Sequence, residues 1–361
     1  MKDQYVADIG DYGKYSLLKA FMNAGISVGV NWYLTEDDGT NAGKFTGYLD
    51  KDPKHSLRKY DAETFDVLKQ IRDSDRTIQA IEKSGLLLGA HFYDTRMLFK
   101  GNAQDRREQR KNWHRAAKKK LEGTSLVFLD PDNGLCSKER PHRVTEKYVF
   151  PDEIRDYYEN QNVVFYCHKG RRSSKEWERY KLIMPKMLLS VRPIVLTYHK
   201  GTQRSYIFLV HPKDYDKYRM VIDSFLNNWE GVFTEEPIRD PDIKKYRDFA
   251  SKWAEMFRKS EVCGWIFESW EFAVDAKKAG CEMDSFRSFS ETFSQPRAVE
   301  SVEELKKLLE DDRMTAPLLG AMVFSHWRYY NHWANSSPKP WVREWFIIAL
   351  EHLAGFGIDY E

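Results

Sequence analysis

Polar side chains that could take part in catalysis follow three short apolar segments of the chain. Each segment has the length and composition of a buried β-strand, at residues 27–34, 125–129 and 162–166. The polar groups that follow them are, in chain order, Asp37 and Asp38, with Gly39 after them, then Asp130, Asp132 and Asn133, and then His168. Ligands of an open α/β sheet bind beyond the carboxyl ends of its strands, so these groups are predicted to share one site.

The sequence Asp-Pro-Asp-Asn-Gly at residues 130–134 is the most specific of these motifs. Pro131 removes a backbone donor and stiffens the turn, and the Asn-Gly pair favours a left-handed backbone. The carboxylates and the amide of this loop could orient a substrate, and a histidine could move a proton. The predicted catalytic residues are therefore Asp130, Asp132, Asn133 and His168. A tight turn held by local hydrogen bonds is the alternative interpretation.

Asp130 and Asp132 also support a second hypothesis, a metal-dependent nuclease. Two carboxylates separated by one residue can reach one cation if the turn folds back, and Mg²⁺ or Mn²⁺ prefers carboxylate oxygens. Phosphodiester cleavage uses such acid clusters to place a metal ion and its water. In this hypothesis His168 is the general base, and Arg171 or Lys14 stabilises the phosphate.

Residues 106–120 form a basic segment with eight Lys or Arg residues and one Glu. The formal net charge of the whole chain is only +2, so a nucleic-acid partner is argued from this local clustering alone. A second basic stretch begins at Lys169, next to the predicted site. The predicted phosphate contacts are Arg106, Arg107, Arg110, Lys111, Arg171 and Arg172. A solvated helix face is the alternative.

The elements that must position these groups alternate between apolar runs and helical patterns. This alternation predicts an α/β fold with a doubly wound, mostly parallel sheet. Two apolar runs at residues 193–198 and 205–210 flank a Lys-Gly-Thr-Gln turn, which predicts an antiparallel hairpin at the end of the sheet.

The downstream part of the chain contains helical patterns only, from residue 246 onwards. A segment rich in Gly, Pro and acidic residues precedes them and is interpreted as a junction. We therefore predict an α/β domain at residues 1–228, a linker at 229–242 and a small all-α domain at 243–361.

Two short motifs resemble the class I S-adenosylmethionine-dependent methyltransferases. Residues 126–134 are similar to the loop of amino-directed members, which usually read Asp/Asn-Pro-Pro-aromatic after an apolar strand. Residues 7–15 are similar to the amino-terminal segment of the ribosomal-RNA adenine-N6 type. The layout extends over about residues 2–226. This chain has Asp132 in place of the second Pro, and a single glycine, Gly39, after its first strand.

The resemblance implies an enzyme that binds S-adenosylmethionine and acts on nucleic acid. The residues that it assigns to the cofactor are Lys14, Asp37, Asp38 and Gly39. Asp37 or Asp38 would hold the ribose hydroxyls, while Asp130 and Asn133 would orient the acceptor. The missing glycine-rich turn favours a third hypothesis, a binding or sensor protein without catalysis that retains the fold.

The all-α domain resembles a small bacterial domain family without an assigned function. The stretches that carry the resemblance are residues 324–333, rich in Trp, Tyr and His, and residues 345–351. Core packing explains such aromatic residues, and a surface for a protein partner or a stacked base is the alternative.

Composition excludes several classes of protein. No apolar run approaches the length of a membrane span, and the first 20 residues have no apolar core of a signal peptide. The four cysteines lack the spacing of a zinc site. We expect a cytoplasmic protein with no membrane partner.

Overall fold

The computed structural model describes residues 1–40, 43–51, 57–136, 145–188, 191–239, 243–259, 269–281, 301–311, 314–333 and 340–356. The side chains of residues 331–333 and 340 are outside this description. The chain divides into two compact units, Met1–Ile238 and Arg239–Glu361. This division falls inside the segment that was predicted to be a linker.

The first unit contains a seven-stranded mixed sheet. Its strands are β1 (Val28–Asn31), β2 (His91–Tyr93), β3 (Leu126–Leu129), β4 (Asn162–Cys167), β5 (Arg192–Tyr198), β6 (Arg204–Val210) and β7 (Phe233–Glu235). Their order across the sheet is β2-β1-β3-β4-β6-β5-β7, and the pairs among β2, β1, β3 and β4 are parallel.

The predicted hairpin forms between β5 and β6. Its second strand, β6, lies between β4 and β5 and is antiparallel to both. The hairpin is therefore an inner part of the sheet, because β7 pairs with the outer side of β5. This insertion brings the amino end of β6 to the same edge as the carboxyl end of β4, and Arg204 lies at that end.

Helices pack on the two faces of the sheet. The helices of the first unit are α1 (Ile9–Asn23), α2 (Ala62–Asp73), α3 (Ile78–Lys83), α4 (Ala103–Lys120), α5 (Pro151–Tyr158), α6 (Ser174–Lys181), α7 (Ile183–Met187) and α8 (Tyr215–Asn228). Side chains alternate along β3: Leu126 and Phe128 belong to the core with α1, α2, α3 and α8, while Val127 and Leu129 belong to the core with α4, α5 and α6.

Part of the predicted linker belongs to the sheet domain. Trp229 and Phe233 are buried in its core, and β7 adds to the sheet. The acidic residues that suggested a junction have partners inside this unit: Glu235 pairs with Arg219, and Glu236 accepts a hydrogen bond of 2.7 Å from the Trp177 indole. The acids of this segment thus stabilise the fold.

The basic segment is helix α4, and one of its arginines is interior. Arg110 forms an ion pair of 2.6 Å with Glu153 of α5, and both side chains are less than 10% exposed. Tyr33 donates a hydrogen bond to the same carboxylate. Burial alone would raise the pKa of Glu153, but the Arg110 guanidinium outweighs it and lowers that pKa. Arg110 is therefore not placed to contact a phosphate.

The second unit is helical, as predicted. Its helices are α9 (Ile243–Lys259), α10 (Trp270–Ala279), α11 (Val302–Leu309), α12 (Ala316–Trp333) and α13 (Pro340–Gly355). Trp253, Trp327 and Trp345 are buried in one core, and the His326 ring stacks on Trp345 with centroids 4.0 Å apart. Trp270, at 78% exposure, is a tryptophan that this unit presents to solvent. Cys263 lies outside the described residues.

The Arg110–Glu153 pair predicts a large and local effect on stability. Glu153→Ala leaves a guanidinium buried without its counter-charge, which costs about 3–5 kcal/mol. The neighbouring Asp152 side chain is 85% exposed, so Asp152→Ala should change the unfolding free energy by less than about 0.5 kcal/mol. Urea unfolding of the two variants tests this. Similar midpoints for both would contradict the structural role of the pair.

Candidate functional site

A cavity of about 220 Å³ opens at the carboxyl edge of the parallel strands. It is enclosed by the amino-terminal segment, the first turn of α1, the loop after β3, the end of β4 and the start of β6. Its lining includes Met1, Tyr5, Asp8, Asp11, Lys14, Asp130, Asp132, Tyr166, Arg204 and Tyr206. The sheet topology therefore brings together side chains that are distant in the sequence.

Lys14 is buried between two carboxylates. Its ammonium lies 2.7 Å from Asp11 of the same helix and 2.7 Å from Asp130 at the end of β3. Burial alone would lower the pKa of Lys14, but the two carboxylates outweigh it and raise that pKa. The ring of Trp32 lies 5.5 Å from the ammonium and adds a cation–π contact. Lys14 is therefore a charged link between α1 and the sheet.

Asp132 differs from Asp130 because its one described partner is the Met1 amino group, which lies 2.8 Å from Oδ1. The side chain is only 4% exposed, and Oδ2 accepts no hydrogen bond from the part of the chain that is described. The Met1 amino group also donates hydrogen bonds to the carbonyl oxygens of Tyr33 and Asp130. A buried carboxylate with free acceptor sites is costly unless something donates to it. Asp132 is thus the group of the cavity that is prepared for a ligand.

Arg204 is a site residue that sequence analysis missed, as it missed the lining tyrosines Tyr5, Tyr166 and Tyr206. Its guanidinium pairs with Asp8, which also caps α1 by accepting a hydrogen bond of 3.0 Å from the Gly10 amide. A Cβ at Gly10 would collide with the guanidinium. The glycine of the amino-terminal motif therefore leaves room for an arginine that comes from β6.

The backbone beside the cavity adopts two uncommon conformations. Ala7 and Tyr33 are the described non-glycine residues with positive φ, at 62° and 46°. The Ala7 amide donates to Asp11, and the Tyr33 carbonyl accepts from Met1. Such conformations are rare for residues with a Cβ and are found at functional sites when the surroundings impose them.

The predicted acids after β1 lie outside the cavity. Asp37, Asp38 and Gly39 are exposed. Asp38 pairs with Lys2 at 2.5 Å, and Asp37 accepts a hydrogen bond of 3.1 Å from the Gln4 amide. They lie far from the strand because β1 ends at Asn31 and a buried stretch follows it. Their contacts instead hold the amino-terminal segment in place.

Two predicted catalytic residues lie near the cavity without lining it. Asn133 donates its amide hydrogen to the Lys147 carbonyl at 2.8 Å, as a turn residue does. His168 is half-buried at the end of β4, and its Nδ1 has no described hydrogen-bond partner. Burial lowers the pKa of His168, and Arg172 and Arg204 lower it further, so the imidazole is neutral at pH 7.

The expected ligands of S-adenosylmethionine do not fit that cofactor. The Lys14 ammonium, which would bind its carboxylate, is already held by two acids. Asp37 and Asp38, which would hold its ribose, are exposed and do not line the cavity that Lys14 lines. The space after β1, where the family has glycines, is filled by the buried side chains of Trp32 and Tyr33. Binding of this cofactor would need other ligands.

The metal hypothesis also depends on a carboxylate that is already paired. No group of three or more His, Cys, Asp or Glu side chains within the described ranges is placed to hold a metal ion. Asp130 is bound to Lys14, whose ammonium occupies the position that a cation between Asp11 and Asp130 would take.

The remaining predicted phosphate contacts are divided between paired and exposed residues. Arg106 pairs with Glu146 at 2.6 Å, and Arg172 packs on the Tyr180 ring and donates to backbone carbonyls. The exposed ones are Arg107, Lys111 and Arg171.

No protein-family model matches the chain, and no curated protein is significantly similar to it. Among the described helices, none is long and apolar enough to cross a membrane. A function for the cavity must therefore be argued from its own geometry.

Lys14 predicts a pH-dependent loss of stability. Lys14→Met leaves Asp11 and Asp130 buried without a counter-charge, which costs about 3–5 kcal/mol near neutral pH. Removing the ammonium also raises the pKa of Asp11 further above its unfolded value, so this variant is most stable at low pH and loses stability as pH rises.

The matched control is Lys19→Met on the same helix. Lys19 pairs with Asp61 and with the exposed Glu63, and Asp61 keeps its hydrogen bonds from Thr64, so the loss of Lys19 should cost less than that of Lys14. Unfolding free energies are compared at about pH 5 and pH 8. A Lys14→Met deficit that is the same at both pH values would contradict the buried arrangement.

Proposed function

We propose that the cavity binds the exocyclic amino group of a nucleobase, in a nucleotide or in a nucleic acid. The observation that carries this proposal is the Asp132 carboxylate, which is 4% exposed, pairs with the Met1 amino group through Oδ1 and has no described donor at Oδ2. An ionised carboxylate can only accept, so its complement is a group with N–H or O–H donors. An amino group of adenine, cytosine or guanine is such a group.

The charges of the cavity support a donor-bearing ligand over an anionic one. Four carboxylates line it, and two side-chain cations, Lys14 and Arg204, are held by three of them. The remaining negative charge belongs to Asp132, beside the Met1 amino group. A phosphate placed against Asp132 would be repelled, so the phosphate of a nucleotide is expected outside the cavity.

The walls of the cavity support a flat ring. Tyr5, Tyr166 and Tyr206 contribute to its lining, and the Tyr166 and Tyr206 rings are 6.3 Å apart. The methyltransferase-like loop after β3 lacks an aromatic residue, but these tyrosines from other elements offer aromatic surface for stacking. The volume of about 220 Å³ is below the range of about 300–1,000 Å³ for whole drug-sized ligands, which favours a single base.

The order of the strands supports a methyltransferase-like, doubly wound arrangement. The chain proceeds from β1 to β2 on one side and then to β3 on the other side of β1, so strand order reverses between β1 and β3. Ligand sites of such sheets lie at this reversal. The Asp130–Gly134 loop follows β3, at the place that the resemblance assigns to the loop holding a target amino group.

Nucleosides that differ only in the amino group test this proposal. Cytidine and adenosine should bind at least about tenfold more tightly than uridine and inosine, because these carry a carbonyl oxygen that Asp132 repels. Asp132→Asn should remove this preference, while the exposed Asp152→Asn should retain it. Calorimetry is performed on the full chain with any tag at its carboxyl end, because Met1 lines the cavity.

Two results would contradict the proposal. Equal affinity for cytidine and uridine would show that the amino group is not recognised. A preference that survives Asp132→Asn would show that another group recognises it.

A further inference from the structure

One side of α4 carries a regular row of exposed cations. Arg107, Lys111, Arg115 and Lys119 are separated by four residues each and are all exposed. We call these four residues the basic row. None of them forms an ion pair with a residue that the structure describes, although Arg115 donates a hydrogen bond to Asn112.

Three other cations of α4 differ from the basic row because they form ion pairs. Arg106 pairs with Glu146, Arg110 with Glu153, and Lys118 with Glu159. The helix thus uses some of its charge to hold α5 and the preceding segment, and leaves the basic row in solvent. Two acidic residues of the helix are exposed, Glu108 and Asp105, and Asp105 is part of the amino-terminal cap, so the side remains strongly positive.

We propose that the basic row binds the phosphates of a single-stranded nucleic acid whose base enters the cavity, an inference that rests on the proposed function. Positions four residues apart rise about 6 Å along a helix, and the row extends over about 18 Å. Phosphates of one strand recur about every 3.4 Å along the axis of a duplex and lie further apart when the bases are unstacked, so each cation of the row can meet a separate phosphate.

Contacts within the first unit connect α4, which carries the row, to the loop of the cavity. Arg106 and Arg110, on the first turns of α4, bind Glu146 and the Tyr148 carbonyl. The Lys147 carbonyl between these two residues accepts the amide hydrogen of Asn133, in the loop that lines the cavity. The first turns of α4 are therefore linked through residues 146–148 to the Asp130–Gly134 loop.

The composition of the row favours nucleic acid over other anionic partners. A helix that binds a membrane surface needs an apolar face in contact with the acyl chains. The apolar face of α4, which includes Trp113 and Ala117, is buried in the core of the sheet domain. Stable protein interfaces are centred on aromatic or aliphatic anchors, and the row contains none. Insertion of a base into a closed cavity also requires a strand whose bases are unstacked.

Salt dependence of oligonucleotide binding tests the proposal. Fluorescence anisotropy is measured with the full chain and labelled oligocytidylate of about a dozen nucleotides, between about 50 and 200 mM NaCl. Each phosphate contact contributes about 0.7 to the slope of log affinity against log salt for a single strand. Lys111→Gln with Lys119→Gln should therefore lower that slope by about 1.4 and weaken binding by roughly tenfold at low salt.

The matched control is Lys213→Gln with Lys217→Gln, which removes the same charge from exposed residues near and in α8. This variant should bind like the unaltered protein. Equal losses in the two double variants, or binding of the unaltered protein that does not depend on salt, would overturn the proposal. Competition by polyglutamate as effective as that by oligocytidylate would also overturn it, since the row would then bind any polyanion.

The two proposals fail in distinguishable ways. If oligocytidylate and oligouridylate bind equally, while the slope still falls only in the Lys111→Gln, Lys119→Gln variant, the row is supported and recognition of the amino group is wrong. If the preference for cytidine is found but the slope does not change in that variant, the cavity is supported and the row is wrong.

Discussion

The arrangement of the first unit depends on one buried ammonium. A charge in the interior must have counter-charges, and Lys14 finds them in Asp11 on its own helix and in Asp130, which lies 116 residues further along the chain. This requirement holds the first turn of α1 against the end of β3. The cavity exists because these two elements meet at an edge of the sheet where neither covers the other completely.

The same charges determine what the cavity can recognise. Asp11 and Asp130 are satisfied by Lys14, and Asp8 is satisfied by Arg204 and the helix amides. Asp132 is left as an acceptor that water reaches poorly. On the proposed function, selectivity arises from an imbalance: the two side-chain cations neutralise structural acids, while Asp132, paired with the Met1 amino group through Oδ1, keeps Oδ2 for the ligand.

The sequence predicted β1, β3, β4 and the β5–β6 hairpin because buried strands are short, continuous apolar runs, but it missed β7, which lies in the segment interpreted as a junction. It placed Asp130 and Asp132 beside one cavity because parallel strands end at one edge. Arg204 escaped this reasoning, since it begins a strand, and only an antiparallel strand brings its amino end to that edge. Arg110 was wrongly predicted to contact phosphate because it lies in a run of charged residues. Its spacing from Trp113 and Ala117 places it on the buried side of the helix.

The two outermost strands of the sheet, β2 and β7, are each only three residues long. Outer strands offer unpaired amide and carbonyl groups to which another molecule can add a strand, and short ones offer few. The exposed Glu235 adds a charge to one of these borders. The sheet therefore ends at both borders in a form that discourages self-association, which protects a seven-stranded core from aggregating with its own copies.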